Sequence, residues 1–326
     1  MVTRAKRRDI LRYGAAFTLA ALPAPAIAEA WPSKPIRIIC TYPAGGLTDV
    51  FARAYGDYVA QKTGQPVLVE NRTGAAGAIG AEMVKQAAPD GYTLTMGTNA
   101  THVLNQYLYG KLPFDAANDF EPVVMAGSFP MVIAVPSSSK LTSAKDLVDT
   151  VKHEPRGADI ALPSTSARLV MELLKERSAT PLFGVPYKGS GAAITDMLGG
   201  QLPVIVDTPT SLRPHIAGGK VRPIAVTSAQ SSPLVPGVKP VAEQGFSGFN
   251  VIAWNALYAP KGTPADIITS LNAAFNKVLQ RPETRQRLLD LGFEAGGGTP
   301  EQLREFGQAE RRKWQGVISS AGLKAE

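Results

Sequence analysis

The chain has 326 residues, of which 44% are hydrophobic and 19% charged, and its formal net charge is +7. This length predicts one to three domains with a sizeable core. Beyond the N-terminus the basic residues are scattered, which argues against a nucleic-acid partner. Cys40 is the only cysteine, so an internal disulfide is excluded, and the three histidines lie far apart without a metal-binding motif. We therefore expect a globular protein with neither a metal site nor a cofactor.

Residues 1–30 have the pattern of a secretory signal peptide. A basic stretch that contains Arg7 and Arg8 precedes an apolar stretch and then small residues, with cleavage expected after Ala28 or Ala30. The apolar stretch is too short to cross a bilayer. The arginine pair also resembles a twin-arginine signal, so the pattern fits both export routes. We expect the mature protein in the periplasm.

The first part of the mature chain alternates short apolar runs with helical periodicity. The run over 36–39 predicts a buried strand, a Gly-Gly turn follows, and the spacing of apolar residues predicts a helix over 48–62. Further strands are predicted at 66–70 and 92–96. This alternation predicts an α/β fold with largely parallel sheets.

A second series of similar build follows, and the chain passes between the two series near 126–131 and again near 249–254. We therefore expect one lobe formed by 31–130 together with 254–326, and a second lobe formed by 131–253. Two lobes that are joined by two crossings enclose a cleft, which is a usual place for a small ligand.

The turn over 43–49 is the first candidate site. It joins a predicted strand to a helix, so its backbone N–H groups lie at the positive end of that helix and suit a carboxylate. Thr48 can donate a hydroxyl hydrogen bond, and Asp49 can orient that hydroxyl or a water, or meet a ligand ammonium. The alternative is a plain turn in which Thr48 or Asp49 caps the helix.

Polar residues that follow later predicted strands are the other candidates. His102 lies in a predicted polar loop over 97–102, as a ligand-binding residue or as a solvated side chain. The hydroxyl residues 164–166 precede a helix, where they either bind a ligand or cap the helix. Asp207 ends a predicted strand, either as a cap or as a cleft residue.

Two sequence patterns suggest other classes of protein. The glycine-rich segment 74–80 has the wrong spacing and the wrong strand for a dinucleotide fingerprint, so close helix packing is the better interpretation. Ser137 and Lys140 fit the S-x-x-K pattern of some acyl-transfer enzymes, but the accompanying S-D-N and K-T-G elements are missing. A periplasmic α/β hydrolase that uses Ser137 and Lys140, or Ser164, is the alternative to a binding protein.

Nine short motifs, in a fixed order, carry a resemblance to one known family. They are 31–36 (WPSKPI), 43–49 (PAGGLTD), 69–72 (VENR), 77–80 (GAIG), 89–94 (PDGYTL), 186–189 (PYKG), 198–201 (LGGQ), 225–228 (AVTS) and 259–264 (APKGTP). Together they resemble the substrate-binding proteins of tripartite tricarboxylate transporters, also called Bordetella uptake gene (Bug, TctC-like) receptors. The resemblance implies a two-lobed periplasmic binding protein, a type II-like Venus flytrap with two crossing strands. Such a monomeric receptor captures a small mono-, di- or tricarboxylate or an aromatic acid, and delivers it to membrane permease subunits without catalysis.

The resemblance also implies the residues of the site. In the family, the Gly-Gly loop binds a carboxylate through backbone groups and ordered waters, and polar loops complete the cleft. The implied ligand-binding residues are Tyr42, Ala44, Gly45, Gly46, Thr48, Asp49, Asn99, Thr101, His102, Ser164, Thr165, Ser166, Arg168 and Asp207. The second-lobe loop departs from the family pattern, because Pro163 lacks an N–H and the usual glycines are missing. We therefore expect hydroxyl groups and the charge of Arg168 to replace backbone donors there.

Overall fold

A computed structural model describes residues 31–45, 47–154 and 157–324. The predicted signal peptide and the predicted site residue Gly46 lie outside these residues. The strands are β1 (Ile36–Cys40), β2 (Val67–Asn71), β3 (Thr93–Thr98), β4 (Phe120–Pro130), β5 (Val132–Pro136), β6 (Ala158–Leu162), β7 (Leu182–Pro186), β8 (Val204–Asp207), β9 (Val221–Val226), β10 (Ile252–Pro260) and β11 (Glu294–Gly297). The helices are α1 (Leu47–Thr63), α2 (Ala78–Lys85), α3 (Asn105–Leu108), α4 (Ala144–Lys152), α5 (Thr165–Ser178), α6 (Ser190–Leu198), α7 (Pro209–Ala217), α8 (Ala265–Leu279), α9 (Pro282–Asp290) and α10 (Pro300–Ala321).

Six strands form the first sheet, in the order β11-β4-β10-β3-β1-β2. β1 lies parallel to β2 and β3, whereas β10 runs antiparallel to β3 and β4. Ile38 on β1 packs in the apolar cluster that contains Tyr55 and Phe275, and Ile39 packs in the cluster on the opposite face. Because helices cover both faces, β1 is a continuous apolar run rather than an alternating one.

Five strands form the second sheet, in the order β7-β6-β8-β5-β9. β6 lies parallel to β7 and β8, and β5 runs antiparallel to β8 and β9. The carboxyl ends of β6, β7 and β8 therefore meet at one edge of this sheet, and β5 ends at the opposite edge.

Two connections join the sheets, and Thr227 holds them together. Met131 links β4 to β5, and the segment 227–251 links β9 to β10. The Thr227 hydroxyl accepts from the Met131 N–H at 2.8 Å and donates to the Val251 carbonyl at 2.6 Å. The Thr227 N–H also donates to the Met131 carbonyl at 3.0 Å. Two separate sheets that are joined twice confirm the predicted two-lobed α/β fold. The expectation of largely parallel sheets is wrong, because four strand pairs are parallel and five are antiparallel among the described residues.

The structure corrects two parts of the predicted secondary structure. The polar loop predicted over 97–102 is wrong, because β3 continues to Thr98 and a π-helical turn (Ala100–Leu104) leads directly into α3. β11 was not predicted, since its sequence, Glu-Ala-Gly-Gly, has no strand pattern. Among the described helices, none combines the length and the apolar character needed to cross a membrane.

Candidate functional site

A cavity of about 770 Å³ lies between the two sheets. One wall comes from the chain after β1 and β3, and the facing wall comes from the ends of β6 and β7 and the first turns of α5. Small-molecule sites typically enclose roughly 300–1,000 Å³. The cavity therefore has the size and the position expected for a ligand-binding cleft.

The structure brings together six of the predicted site residues around this cavity. They are Tyr42, Asn99, Ser164, Thr165, Ser166 and Arg168. Another seven do not line it, namely Ala44, Gly45, Thr48, Asp49, Thr101, His102 and Asp207. The first group includes residues of both lobes, so the cavity is shared between them.

Asp49 is occupied by hydrogen bonds that shape the first-lobe loop. Its carboxylate accepts from the Gly45 N–H at 2.8 Å and from the Asn71 amide at 2.7 Å, and it pairs with Arg53 at 3.0 Å. The Asn71 amide also donates to the Tyr42 carbonyl at 2.9 Å. Only 2% of Asp49 is exposed, so it braces the loop from inside rather than facing the cavity.

Burial and hydrogen bonding act in opposite directions on the pKa of Asp49. Burial raises this pKa, but the hydrogen bonds from Arg53, the Gly45 N–H and Asn71, with the charge of Arg53, outweigh it and lower the pKa below its ordinary value. Asp49 is therefore a charged group with its partners already supplied by the protein.

Tyr42 is held from behind by a chain of hydrogen bonds that leads into the core. Its hydroxyl lies 3.3 Å from the Thr98 hydroxyl, and the Thr98 N–H donates to the Thr101 hydroxyl at 3.0 Å. The Thr101 hydroxyl in turn lies 2.9 Å from Nδ1 of His102. Two predicted site residues, Thr101 and His102, thus support Tyr42 without lining the cavity.

His102 is a core residue rather than a solvated one. It is 1% exposed, and its ring stacks on Tyr258 with the ring centres 4.0 Å apart. A side chain at Gly97 would collide with this ring, which explains the glycine. Burial, reinforced by the charge of Arg311, lowers the pKa of His102 to about 3. His102 is therefore neutral near pH 7.

The opposite wall begins at the amino end of α5. The Ser164 hydroxyl accepts from the Ala167 N–H at 3.2 Å and so caps the helix, while Thr165 is exposed and Ser166 and Arg168 are half-buried. The free N–H groups of a first helical turn favour an anion. Hydroxyl, guanidinium and helix-end groups therefore share this wall.

Asp207 ends β8 but lies away from the cavity. One carboxylate oxygen accepts from the Thr208 N–H at 2.7 Å and from the Ser190 hydroxyl at 3.0 Å. Burial raises the pKa of Asp207, although these two hydrogen bonds oppose the shift. Asp207 therefore orders the starts of α6 and α7.

Several cavity residues were not predicted, among them Ala76, Asn105, Tyr109, Tyr187 and Lys324. Ala76 has a φ of 51°, and its carbonyl accepts from the Asn105 amide at 2.9 Å. A left-handed alanine leaves no mark in a sequence. Tyr187 could have been found, because it directly follows the apolar run of β7, the strand that pairs with β6 before Ser164.

The residues that suggested other classes of protein differ in position, because Ser164 and Ala76 line the cavity but the proposed Ser137–Lys140 pair does not. Ser137 and Lys140 follow β5, at the sheet edge opposite to the ends of β6–β8, and do not line the cavity. A side chain at Gly77 or Gly80 would collide with neighbouring atoms at 2.6 Å, so this segment packs closely, as predicted. The described part of the chain contains no group of three side chains suited to hold a metal ion.

Comparison with known proteins gives matches along nearly the whole chain. Residues 51–323 match the model of the tripartite tricarboxylate transporter family receptor. Protein BugT of Bordetella pertussis is 34% identical over 308 residues, which cover 94% of this chain and 94% of BugT.

Two solved structures from Rhodopseudomonas palustris are also similar. Rpa4515, solved with adipate, is 31% identical with a TM-score of 0.74, over 90% of this chain and 99% of that one. MatC (Rpa3494), solved with bound malate, is 30% identical with a TM-score of 0.68, over 88% of this chain and 99% of that one. The matching family model describes a transporter receptor, so it does not support the alternative of a periplasmic hydrolase.

Proposed function

Because this chain belongs to the tripartite tricarboxylate transporter receptor family, we propose that it captures a small organic acid between its lobes and delivers it to a membrane permease. As a member of this family it is a solute-binding receptor and not an enzyme. The ligand class extends from mono- to tricarboxylates and includes aromatic acids.

The observation that carries this proposal is the composition of the cavity. Its lining combines polar groups, at the start of α5 and at Tyr42 and Asn99, with apolar side chains that include Leu104, Leu162 and Leu169. A carboxylate with a hydrocarbon body matches this mixture of polar and apolar surface. Sugars, which carry hydroxyls along their whole length, match it less well.

The two polar ends would act on the ligand in different ways. At α5, the N–H groups of the first turn, the hydroxyls of Thr165 and Ser166, and Arg168 would hold one carboxylate. At the other end, Tyr42 and Asn99 on the cavity wall would receive a carboxylate. Ala44, Gly45 and Thr48 do not line the cavity in this arrangement, so they and Gly46 would reach the ligand only when the lobes close.

Capture would proceed by closure of two lobes about the two connections. We assign 31–130 and 254–326 to one lobe and 131–253 to the other. A ligand that contacts both lobes stabilises the closed arrangement by its extra contacts there. The receptor would work as a monomer in the periplasm, after removal of residues 1–30.

The test is calorimetric titration of the purified protein with adipate, malate, their amides and a neutral sugar. We expect saturable 1:1 binding of at least one acid and none of the amides or the sugar. Arg168→Ala should weaken acid binding about tenfold or more. Arg177→Ala is the matched control, since Arg177 lies on the same helix away from the cavity. The proposal would be contradicted if no acid bound to the protein, or if the sugar bound with the same affinity as the acids.

A further inference from the structure

The chain returns to the cavity at its far end, where Leu323 and Lys324 line the wall. These residues follow α10, which packs against β4 of the six-stranded sheet and also touches α5. The cavity wall therefore includes residues that lie more than 150 positions after the start of α5 in sequence.

The turn that ends α10 determines the position of Lys324. Gly322 adopts a left-handed conformation with a φ of 62°, and the Leu323 N–H donates back to the Ile318 carbonyl at 3.1 Å. This is the geometry of a Schellman turn, in which the residue after the glycine packs against the last helical turns. Leu323 is 6% exposed and shares an apolar cluster with Leu169. Lys324 is thereby anchored at the cavity by its neighbour.

The charges around the cavity are few. Among the described lining residues, the charged side chains are Arg168, Glu172 and Lys324. Arg168 and Glu172 both lie on α5, whereas Lys324 follows α10. Lys324 is exposed and makes no hydrogen bond or ion pair within the described residues. It is therefore a positive charge at the cavity that is available to a ligand.

We propose that Lys324 is a specificity-determining residue, whose ammonium group pairs with the second carboxylate of a dicarboxylate ligand. The inference rests on the proposed function and deepens it. Arg168 belongs to the second-sheet side of the cavity and Lys324 to the first-sheet side. A dicarboxylate between them bridges the lobes, whereas a monocarboxylate of equal length leaves the ammonium unpaired.

Matched pairs of acids test this directly. Adipate and hexanoate have six carbons each and differ in one carboxylate, and malate and 3-hydroxybutyrate differ in the same way. In Lys324→Ala we expect about tenfold weaker binding of the dicarboxylates, with monocarboxylate binding unchanged. Lys324→Arg should restore the preference, because it restores the charge.

Lys277→Ala is the control, since Lys277 is exposed on α8 and does not line the cavity. Lys277→Ala also removes one positive charge, and it should leave the affinities for dicarboxylates and for monocarboxylates unchanged. If Lys324→Ala weakens the binding of both acids in each pair equally, or weakens neither, the role of Lys324 is overturned while the receptor function stays intact. A wild-type protein that binds no carboxylate at all would overturn both.

Discussion

At the scale of the single residue, His102 shows how a side chain beside the cavity can serve it from within the core. Its neighbours Ala100 and Leu104 line the cavity, but its own ring stacks on Tyr258 and bonds to Thr101. Burial and the charge of Arg311 favour the neutral imidazole, so His102 does not act as a charged ligand-binding group near pH 7.

This environment predicts a specific loss of stability in acid. The pKa of His102 is about 3 when folded and about 6.5 when unfolded. Below pH 6.5 the unfolded chain binds a proton at His102 that the folded chain does not. The free energy of unfolding therefore falls by about 1.4 kcal/mol per pH unit between pH 6.5 and 3, and His102 does not lower it above pH 6.5. His102→Phe, which keeps an aromatic ring but cannot titrate, should lose less stability than the wild type between pH 6.5 and 4.5 in urea denaturation.

His153 provides the control, because it is exposed at the end of α4. His153→Phe should follow the wild-type pH dependence. If His102→Phe and the wild type lose stability in parallel over this range, the imidazole is not held neutral by the fold.

At the scale of the element, the start of α5 combines a helix cap with a wall of the cavity. Ser164 uses its hydroxyl to cap the helix, and the departure at Pro163 removes one backbone donor from the approach to it. The anion-binding capacity of this element therefore depends on the helix beginning at Thr165, which the cap secures.

A pair of serine caps separates stability from binding. Ser164 caps α5 and Ser143 caps α4 in the same way, each accepting from a backbone N–H three residues on. Ser164→Ala and Ser143→Ala should each cost about 1 kcal/mol of folding stability. Only Ser164→Ala should also weaken ligand binding in titration calorimetry, and equal affinities in the two variants would argue against a site at α5.

Local patterns were enough to predict most elements but not the whole cavity. The strands and the long helices follow from apolar runs and helical periodicity, which are local properties. The π-helical turn after β3 depends on packing around His102, and β11 depends on pairing with β4, so neither has a local signal. Lys324 joins the site through contacts between distant parts of the chain, which no spacing within the sequence encodes.

At the scale of the whole molecule, the relation between the two sheets depends on the connections that Thr227 joins. Its hydroxyl is buried and bonds to one connection at Met131 and to the other at Val251. Any rotation of one lobe against the other must pass through this region, since the chain crosses between the sheets here. We therefore expect Thr227 to restrict the range of lobe orientations in the free protein.

Replacement of Thr227 tests this restriction. Thr227→Val keeps the shape but leaves the Met131 N–H and the Val251 carbonyl without their hydroxyl partner, at a cost of about 1–3 kcal/mol in unfolding free energy. Ligand affinity should fall as well, because the free protein samples more open arrangements that do not bind. Thr227→Ser retains the hydroxyl and should keep the affinity. Urea denaturation and calorimetry on both variants measure the two effects, and equal affinities would contradict the role in closure.

The internal hydrogen bonds of Asp49 have a consequence for the design of sensors. Because Asp49 makes its bonds to Gly45, Asn71 and Arg53, we expect the loop after β1 to keep its shape with different acids. The start of α5 instead lines the cavity directly with Ser164, Thr165, Ser166 and Arg168. A library that varies 163–168 and leaves Asp49 untouched would therefore change which acid is recognised while the frame that reports closure stays constant.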